Sequence, residues 1–252
     1  MRFASLGSGS EGNAWLVESN KTRLMVDCGF SVNEVVRRMA RLELLAEDLT
    51  AILVTHEHSD HMSGVARLAK RFNIPVYASF GTLSFCRDDI PSHLCNELFS
   101  DSPVVIGDIQ VNPFLVPHDA REPLQFVFDD YNHRLGIVTD VGHVTQHMLV
   151  SLSDLDGLAI ESNHDEQMLV QGRYPQHLKA RVKGEFGHLS NDQAVSLLQQ
   201  LNHERLANVV AAHLSQHNNK PEIVEELFMA VIKEKERFAI ATQEEGLGWV
   251  IL

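Results

Sequence analysis

Cysteine is scarce. The three in this 252-residue chain, Cys28, Cys86 and Cys95, are odd in number and form no CxxC pair. That excludes a disulfide framework, and the thiols read as reduced, mostly buried filler. Long apolar runs are also missing, and Met1-Arg2-Phe3-Ala4-Ser5 lacks the pattern of a signal peptide. The expectation is a cytoplasmic protein without membrane contact. Basic residues are in deficit: 21 Lys and Arg stand against 34 Asp and Glu, a net charge of −13. Such a balance argues against a surface that coats nucleic acid, because phosphate contacts need cations. It leaves room for a locally positive cleft, to which divalent ions would contribute much of the charge. Repeats, low-complexity segments and linkers are absent as well, so residues 1–252 are read as one domain.

What is present in unusual number is histidine, with 14 copies, several beside Asp, Ser or Gly at apparent strand ends. The first half reads as short strands: Arg2–Leu6, Ala14–Ser19, Arg23–Val26 and Ala51–Val54. Further strands are expected at Val76–Ala78, Val104–Ile106, Ile109–Val116, Leu124–Phe128 and Arg134–Thr139, with Asp129–His133 as a hairpin turn. Later strands are Gly157–Ile160, Asn208–Ala212, Phe238–Thr242 and Gly248–Leu252. Ser31-Val32-Asn33-Glu34 reads as a capping box for a helix to about Arg41. Other helices are expected over Ser63–Phe72, in part of Asp165–Gly184, from Ser190 to about Leu201, and over Pro221–Lys233, with Pro at its first turn. The pattern is that of an α/β (or α+β) fold, two sheets sandwiched by helices.

The chemistry gathers at Thr55-His56-Glu57-His58-Ser59-Asp60-His61. His56 and His58, two apart on extended chain, can face one side. Asp60 and His61 follow where the loop bends into a helix and can serve an adjacent point. Two neighbouring metal ions need such an offset. Further ligands must come from elsewhere. His118 in Val116-Pro117-His118-Asp119, Asp140 in Val138-Thr139-Asp140-Val141 and His213 in Ala211-Ala212-His213-Leu214 each end an apolar strand.

This set resembles the metallo-β-lactamase superfamily over essentially the whole chain. The resemblance implies a four-layer αββα sandwich with the site on one edge. It implies that His56, His58 and His118 bind one metal, that Asp60, His61 and His213 bind the other, and that Asp140 bridges them. A donor set of nitrogen and oxygen without Cys suits Zn²⁺ or Mn²⁺ and leaves Fe²⁺ open. Two such ions acidify a water and stabilise negative charge on the substrate, and Asp60 would orient that water as well as ligate.

Fold does not settle substrate, so the branch is read from what surrounds the site. Residues 141–212 leave no room for the inserted domain of the larger nucleases, and 119–139 hold a hairpin but no protruding arm. Leu6-Gly7-Ser8-Gly9-Ser10-Glu11-Gly12-Asn13, Val26-Asp27-Cys28-Gly29, Glu161-Ser162-Asn163-His164-Asp165, Gly187-His188-Leu189-Ser190-Asn191 and His213-Leu214-Ser215-Gln216-His217-Asn218-Asn219 together resemble the YycJ/WalJ/VicX-type proteins. That resemblance implies a 5′→3′ exonuclease acting on duplex DNA. A homodimer is compatible with it, though no residue pattern requires one.

A phosphodiester expels an alkoxide, which benefits from a general acid. His188 is the candidate, with Glu161 holding its ring in the donating tautomer. His164 is a candidate phosphate contact or a plain surface residue. Arg173 to Lys183, with Lys179, Arg181 and Lys183, reads as a phosphate-tracking strip or as a solvated face. The Gly7–Gly12 loop is a candidate backbone phosphate cradle or a plain strand-to-strand turn. Two other functions compete: a small-molecule hydrolase acting on a cyclic phosphodiester, lactone or thioester, and a metal-binding regulatory protein without turnover. The acidic surface favours the former; the acid pair speaks against the latter.

Overall fold

Side chains of a strand alternate between faces, and here both faces are apolar, so each sheet must be covered twice. The computed structural model describes residues 1–86, 88–201 and 205–252. The chain begins with β1 (Arg2–Gly7), β2 (Ala14–Ser19) and β3 (Thr22–Val26), paired antiparallel. Helix α1 (Val32–Ala40) leads to β4 (Ala51–Leu53), parallel to β3. Helices α2 (Ser59–Met62) and α3 (Val65–Phe72) cross to β5 (Val76–Ser79), and α4 (Phe80–Phe85) leads on to β6 (Cys95–Leu98). The second sheet starts with the antiparallel run β7 (Val104–Ile106), β8 (Ile109–Leu115), β9 (Leu124–Asp129) and β10 (Arg134–Val138). It continues in parallel: α5 (Gln146–Ser151), β11 (Gly157–Glu161), then α6 (Glu166–Gln171), α7 (Gln176–Lys183) and α8 (Asn191–Gln200) before β12 (Asn208–Ala212). Helix α9 (Pro221–Ile232) precedes β13 (Phe238–Ile240), and β14 (Leu247–Ile251) returns to the first sheet beside β1.

Among the described residues each sheet has seven strands, ordered β14-β1-β2-β3-β4-β5-β6 and β13-β12-β11-β10-β9-β8-β7. Phe3, Trp15, Val17, Leu24, Val26 and Leu53 of the first sheet meet Phe126, Phe128, Leu135, Ile137 and Val210 of the second. The residues between them point the other way. Leu16, Met25 and Ile52 pack under Val35 and Met39 of α1 and Leu68 of α3. Leu158, Ile160, Val209 and Ala211 pack under Met148 of α5, Leu197 of α8 and Phe228 of α9. The result is the expected αββα sandwich. No described helix is long and apolar enough to cross a membrane.

Differences from the sequence reading lie mainly where tertiary bonds override local preference. The helix expected at Ser63–Phe72 begins earlier and is split. His58 stands at the N-cap of α2, so Asp60 and His61 lie on that short helix, and Gly64 breaks the run. Gly64 N donates to Cys28 O, and a Cβ there would lie 2.0 Å from Phe30 O. Only half the capping box at α1 forms: Ser31 accepts from Glu34 N, while the Glu34 carboxylate binds Arg37 and Arg38 instead. The box at Ser190 and Gln193 is complete. Helices α4 and α5 and strand β6 were not legible. Phe80-Gly81-Thr82-Leu83-Ser84-Phe85 is poor in helix formers; it turns because Ser79 caps Thr82 N and Gly81 N donates to Glu122.

One glycine ties this frame to the site. A Cβ at Gly29 would lie 1.8 Å from the backbone oxygen of Asp60, which also accepts from Asn13 N at 2.7 Å. Gly29→Ala is therefore expected to cost about 1–3 kcal/mol or more by overpacking. Gly248→Ala, with nothing within 4 Å of its added Cβ, serves as the control. A Gly29→Ala denaturation midpoint equal to that of Gly248→Ala would contradict this packing.

Candidate metal centre

The seven predicted ligands come together where strands of both sheets end. Strand β4 stops at Leu53 and hands the chain to His56 and to His58 at the N-cap of α2. His118 follows β8, Asp140 follows β10, and His213 follows β12. His56 Nε2 lies 3.0 Å from His58 Nδ1, and His118 Nε2 lies 3.2 Å from the same atom. Asp60 Oδ2 is 3.4 Å from His61 Nε2 and 3.7 Å from His213 Nε2. Asp140 lies between the clusters: its Oδ2 is 3.0 Å from His61 Nε2, and its Oδ1 is 3.9 Å from His118 Nε2 and 3.6 Å from His213 Nδ1. His56, His58 and His118 thus form one group of converging donors, and Asp60, His61 and His213 another.

Ring tautomers follow from what stands behind each imidazole. His118 Nδ1 faces the Gly187 carbonyl at 3.0 Å, which only accepts, so Nδ1 carries the proton and Nε2 is free to ligate. His61 Nδ1 meets Asp27 Oδ2 at 2.8 Å and His213 Nδ1 meets Glu161 Oε1 at 2.9 Å, with the same consequence. Thr55 Oγ1 gives its hydrogen to Asp27 Oδ2 and so accepts from His56 Nδ1 at 2.9 Å. In all four rings an outer acceptor turns the Nε2 lone pair inward, the orienting role that outer-shell partners play at metal sites.

These residues fit a divalent cation on their own chemistry. Asp140 Oδ2 and His213 Nε2 are buried and make no hydrogen bond among the described residues. Left so, they carry the desolvation penalty of an unsatisfied polar group. Backbone strain marks the same place. Asp27, Asp140 and His213 have φ of 60°, 57° and 54°, a left-handed conformation that costs non-glycine residues energy and clusters at functional sites.

In the sequence Asp27 stands out only as part of Val26-Asp27-Cys28-Gly29. It proves to be a buried carboxylate that also accepts from Thr55 N at 2.8 Å. The signal was available, since it ends the apolar strand Leu24-Met25-Val26 as Asp140 ends its own. Asn13, another unassigned residue, places its amide nitrogen 3.2 Å from His61 Nε2.

The predicted acid pair is also assembled. His188 Nδ1 lies 2.8 Å from Glu161 Oε1, and its ring stands 5.3 Å from those of His118 and His213. Glu161 is fully buried, and its other oxygen accepts from Val141 N and Leu189 N. Burial opposes its ionisation, but the His188 charge and hydrogen bonds from His188 and His213 hold its pKa down at about 2. Burial would lower the His188 pKa; the Glu161 carboxylate outweighs it and raises it.

Other candidates fall differently. His164 is no surface residue: it is 1% exposed and bridged to Ser190, and burial lowers its pKa to about 4. The strip on α7 is engaged within the protein. Arg181 Nε lies 2.6 Å from Asp119, Lys183 lies 3.3 Å from Glu166, and Lys179 donates to Val170 O. In the Gly7–Gly12 loop the amides of Gly9, Glu11 and Gly12 donate to Asn13, Gln243 and Gly9, so they are not free to cradle phosphate.

The imidazoles set a sign for metal uptake. Burial opposes protonation of His213 and His61, but Asp140 beside both, with Asp60, Glu161 and Asp27, raises the His213 pKa to about 10 and the His61 pKa well above the ordinary value. A cation must displace those protons. Zn²⁺ binding is expected to release more than one proton per chain near neutral pH and to weaken as pH falls. Calorimetry in buffers of differing ionisation enthalpy checks this, and zero proton release would contradict it.

Comparison with known proteins agrees with this geometry. A family model described as the Beta-lactamase superfamily domain matches residues 22–213. The exodeoxyribonuclease YycJ of Bacillus anthracis is 34% identical over 243 residues, covering 93% of this chain and 90% of the relative. The exodeoxyribonuclease WalJ of Streptococcus pneumoniae is 33% identical over 227 residues, covering 88% and 84%. Among solved structures, Zn²⁺-bound PqqB from Methylobacterium extorquens superposes with a TM-score of 0.77 at 16% identity, all of both chains covered, which bears on the fold alone. By its fold, its converging donors and its relatives, the chain belongs to the metallo-β-lactamase superfamily of hydrolases, in the YycJ/WalJ group.

Proposed function

We propose that this protein is a dinuclear-metal phosphodiesterase that degrades DNA from an end, 5′ to 3′. The observation that carries this reading is the Glu161–His188 pair beside two converging donor groups. The names of the 33–34% identical relatives support a DNA substrate.

In this reading His56, His58 and His118 hold one divalent ion, Asp60, His61 and His213 the second, and Asp140 both. Nitrogen and oxygen donors suit Zn²⁺ or Mn²⁺, with Fe²⁺ also allowed. Such ions, when bound, activate water and offset charge on the phosphate. The chain's own residues supply the rest. Burial opposes ionisation of Asp60, but the His213 and His61 imidazoles 3.7 and 3.4 Å from its Oδ2 keep its carboxyl well below the usual range. It is therefore an anion able to accept a hydrogen bond from the attacking water and orient it. Glu161 accepts a hydrogen bond from Nδ1–H of His188 and so favours the imidazolium, whose Nε2–H delivers a proton to the departing sugar oxygen and leaves neutral His188 with Nδ1–H still on Glu161. Asp119, whose carboxylate lies 3.8 Å from His58 Nε2, holds Arg181 beside the centre, where the guanidinium would order the approach of the next phosphate.

One observation favours the second reading, a small phosphodiester, lactone or thioester as substrate: the α7 strip is already paired internally on a chain of net charge −13. Metal-loaded protein assayed on end-labelled duplex DNA and on bis(p-nitrophenyl) phosphate separates the two. Degradation of the duplex is expected, and cleavage of the small diester alone would select the alternative.

Removing a general acid costs ~10²–10⁴-fold where the leaving group is poor. For His188→Ala that loss is expected on DNA, whose leaving group is an alkoxide. A much smaller loss is expected on bis(p-nitrophenyl) phosphate, whose leaving group departs unaided. Equal losses on both, at unchanged metal content, would remove His188 from the acid role. Cleavage of duplex should also weaken as salt rises. Salt-independent cleavage would contradict a phosphate track.

A further inference from the structure

Beside the centre lies a groove of about 550 Å³ that shares His58 with it. Its floor is apolar, made by Met62 and Ala66 of the α2–α3 segment and by Phe85 of α4. Phe85 is 57% exposed, and the Arg121 guanidinium sits 5.7 Å from its ring. Along one wall stand Arg67 and Lys70, one helical turn apart on α3 and both exposed. Among the described residues neither makes an ion pair, nor does Arg121, whereas Arg181 and Lys183 of the α7 strip do.

An exposed aromatic flanked by unpaired cations is what a single nucleic-acid strand recognises: bases stack on the ring and phosphates follow the charges. Exposed apolar surface next to a reactive centre rarely lacks a use. The groove's size falls in the ~300–1,000 Å³ range that takes a small organic ligand, here a nucleotide or two. Two carboxylates, Glu57 and Asp89, also line it, so phosphates would keep to the Arg67 and Lys70 wall.

The groove is also rigidly joined to the catalytic loop. Ser79 Oγ donates to Glu122 O and Gly81 N to the Glu122 carboxylate, both at 2.8 Å. Arg121 N donates to Glu57 at 2.9 Å. Phe85 and His118 are thus mounted on elements bonded to each other.

We propose that this groove seats the single strand of a DNA end next to the scissile phosphodiester, with a base on Phe85 and its phosphates on Arg67, Lys70 and Arg121. The inference rests on the nuclease reading above.

The test measures binding of a fluorescent single-stranded oligodeoxynucleotide by the metal-loaded protein, using a phosphorothioate backbone to slow cleavage. Phe85→Ala is expected to weaken binding roughly tenfold through lost stacking. Arg67→Ala/Lys70→Ala should lower the slope of log affinity against log salt by about 1.4, two phosphates' worth for a single strand. Phe85→Trp should restore the affinity lost in Phe85→Ala, which a purely structural role for Phe85 would not produce. Lys233→Ala/Lys235→Ala, outside the groove, controls for net charge. Wild-type binding and salt slope in the groove variants, with DNA still degraded, would overturn the groove and leave the nuclease reading intact. Wild-type protein that cleaves bis(p-nitrophenyl) phosphate yet neither binds nor degrades DNA would overturn both.

Discussion

Everything at the functional end of this molecule depends on one constraint: imidazole rings must present bare nitrogen to a common point inside the protein. A buried histidine left alone would bond its nearest neighbour by whichever nitrogen suited. Here Asp27, Thr55, Glu161 and the Gly187 carbonyl stand behind His61, His56, His213 and His118, and each accepts a hydrogen bond from Nδ1–H. The price is visible in left-handed backbone at Asp27, Asp140 and His213 and in buried atoms without a hydrogen-bond partner. Strain of this kind persists only when the surrounding fold overdetermines it. The two sheets do so, since each offending residue lies one or two positions beyond the end of a largely buried strand.

One carboxylate serves two purposes in that design. Glu161 Oε1 lies within hydrogen-bond distance of Nδ1 of both His213 and His188, and its second oxygen is pinned by the Val141 and Leu189 amides. A proposed ligand and a proposed acid are therefore oriented by the same buried atom. Asp27 plays the matching part on the other side, binding His61 directly and fixing Thr55 behind His56. Changes at either carboxylate would reach the centre without touching substrate.

The layers were legible because periodicity is strong in strands that are apolar on both faces. Val104–Ile106 and Asn208–Ala212 fall where alternation and apolar runs put them, and most others within two residues. The ligand residues were legible because polar groups at the ends of such strands are conspicuous. What could not be read was anything decided across sequence distance. Helix α4 exists through Ser79 and Glu122, and the break at Gly64 through Cys28. His164 reads from its neighbours as a phosphate contact or a surface residue, and its burial beside Ser190 is decided across sequence distance. The Lys and Arg on α7 read as free charge, yet their partners Asp119 and Glu166 lie outside that helix. Arg67 and Lys70, on a helix whose sequence looks like an ordinary amphipathic one, are among the described cations that make no ion pair.

The central claim is that the donors hold two ions rather than one. Crystals grown with Zn²⁺ and measured on both sides of the zinc absorption edge test it most directly. The account predicts two anomalous peaks, one among His56, His58 and His118 and one among Asp60, His61 and His213, with Asp140 between them. A single peak, or peaks away from these side chains, would contradict it.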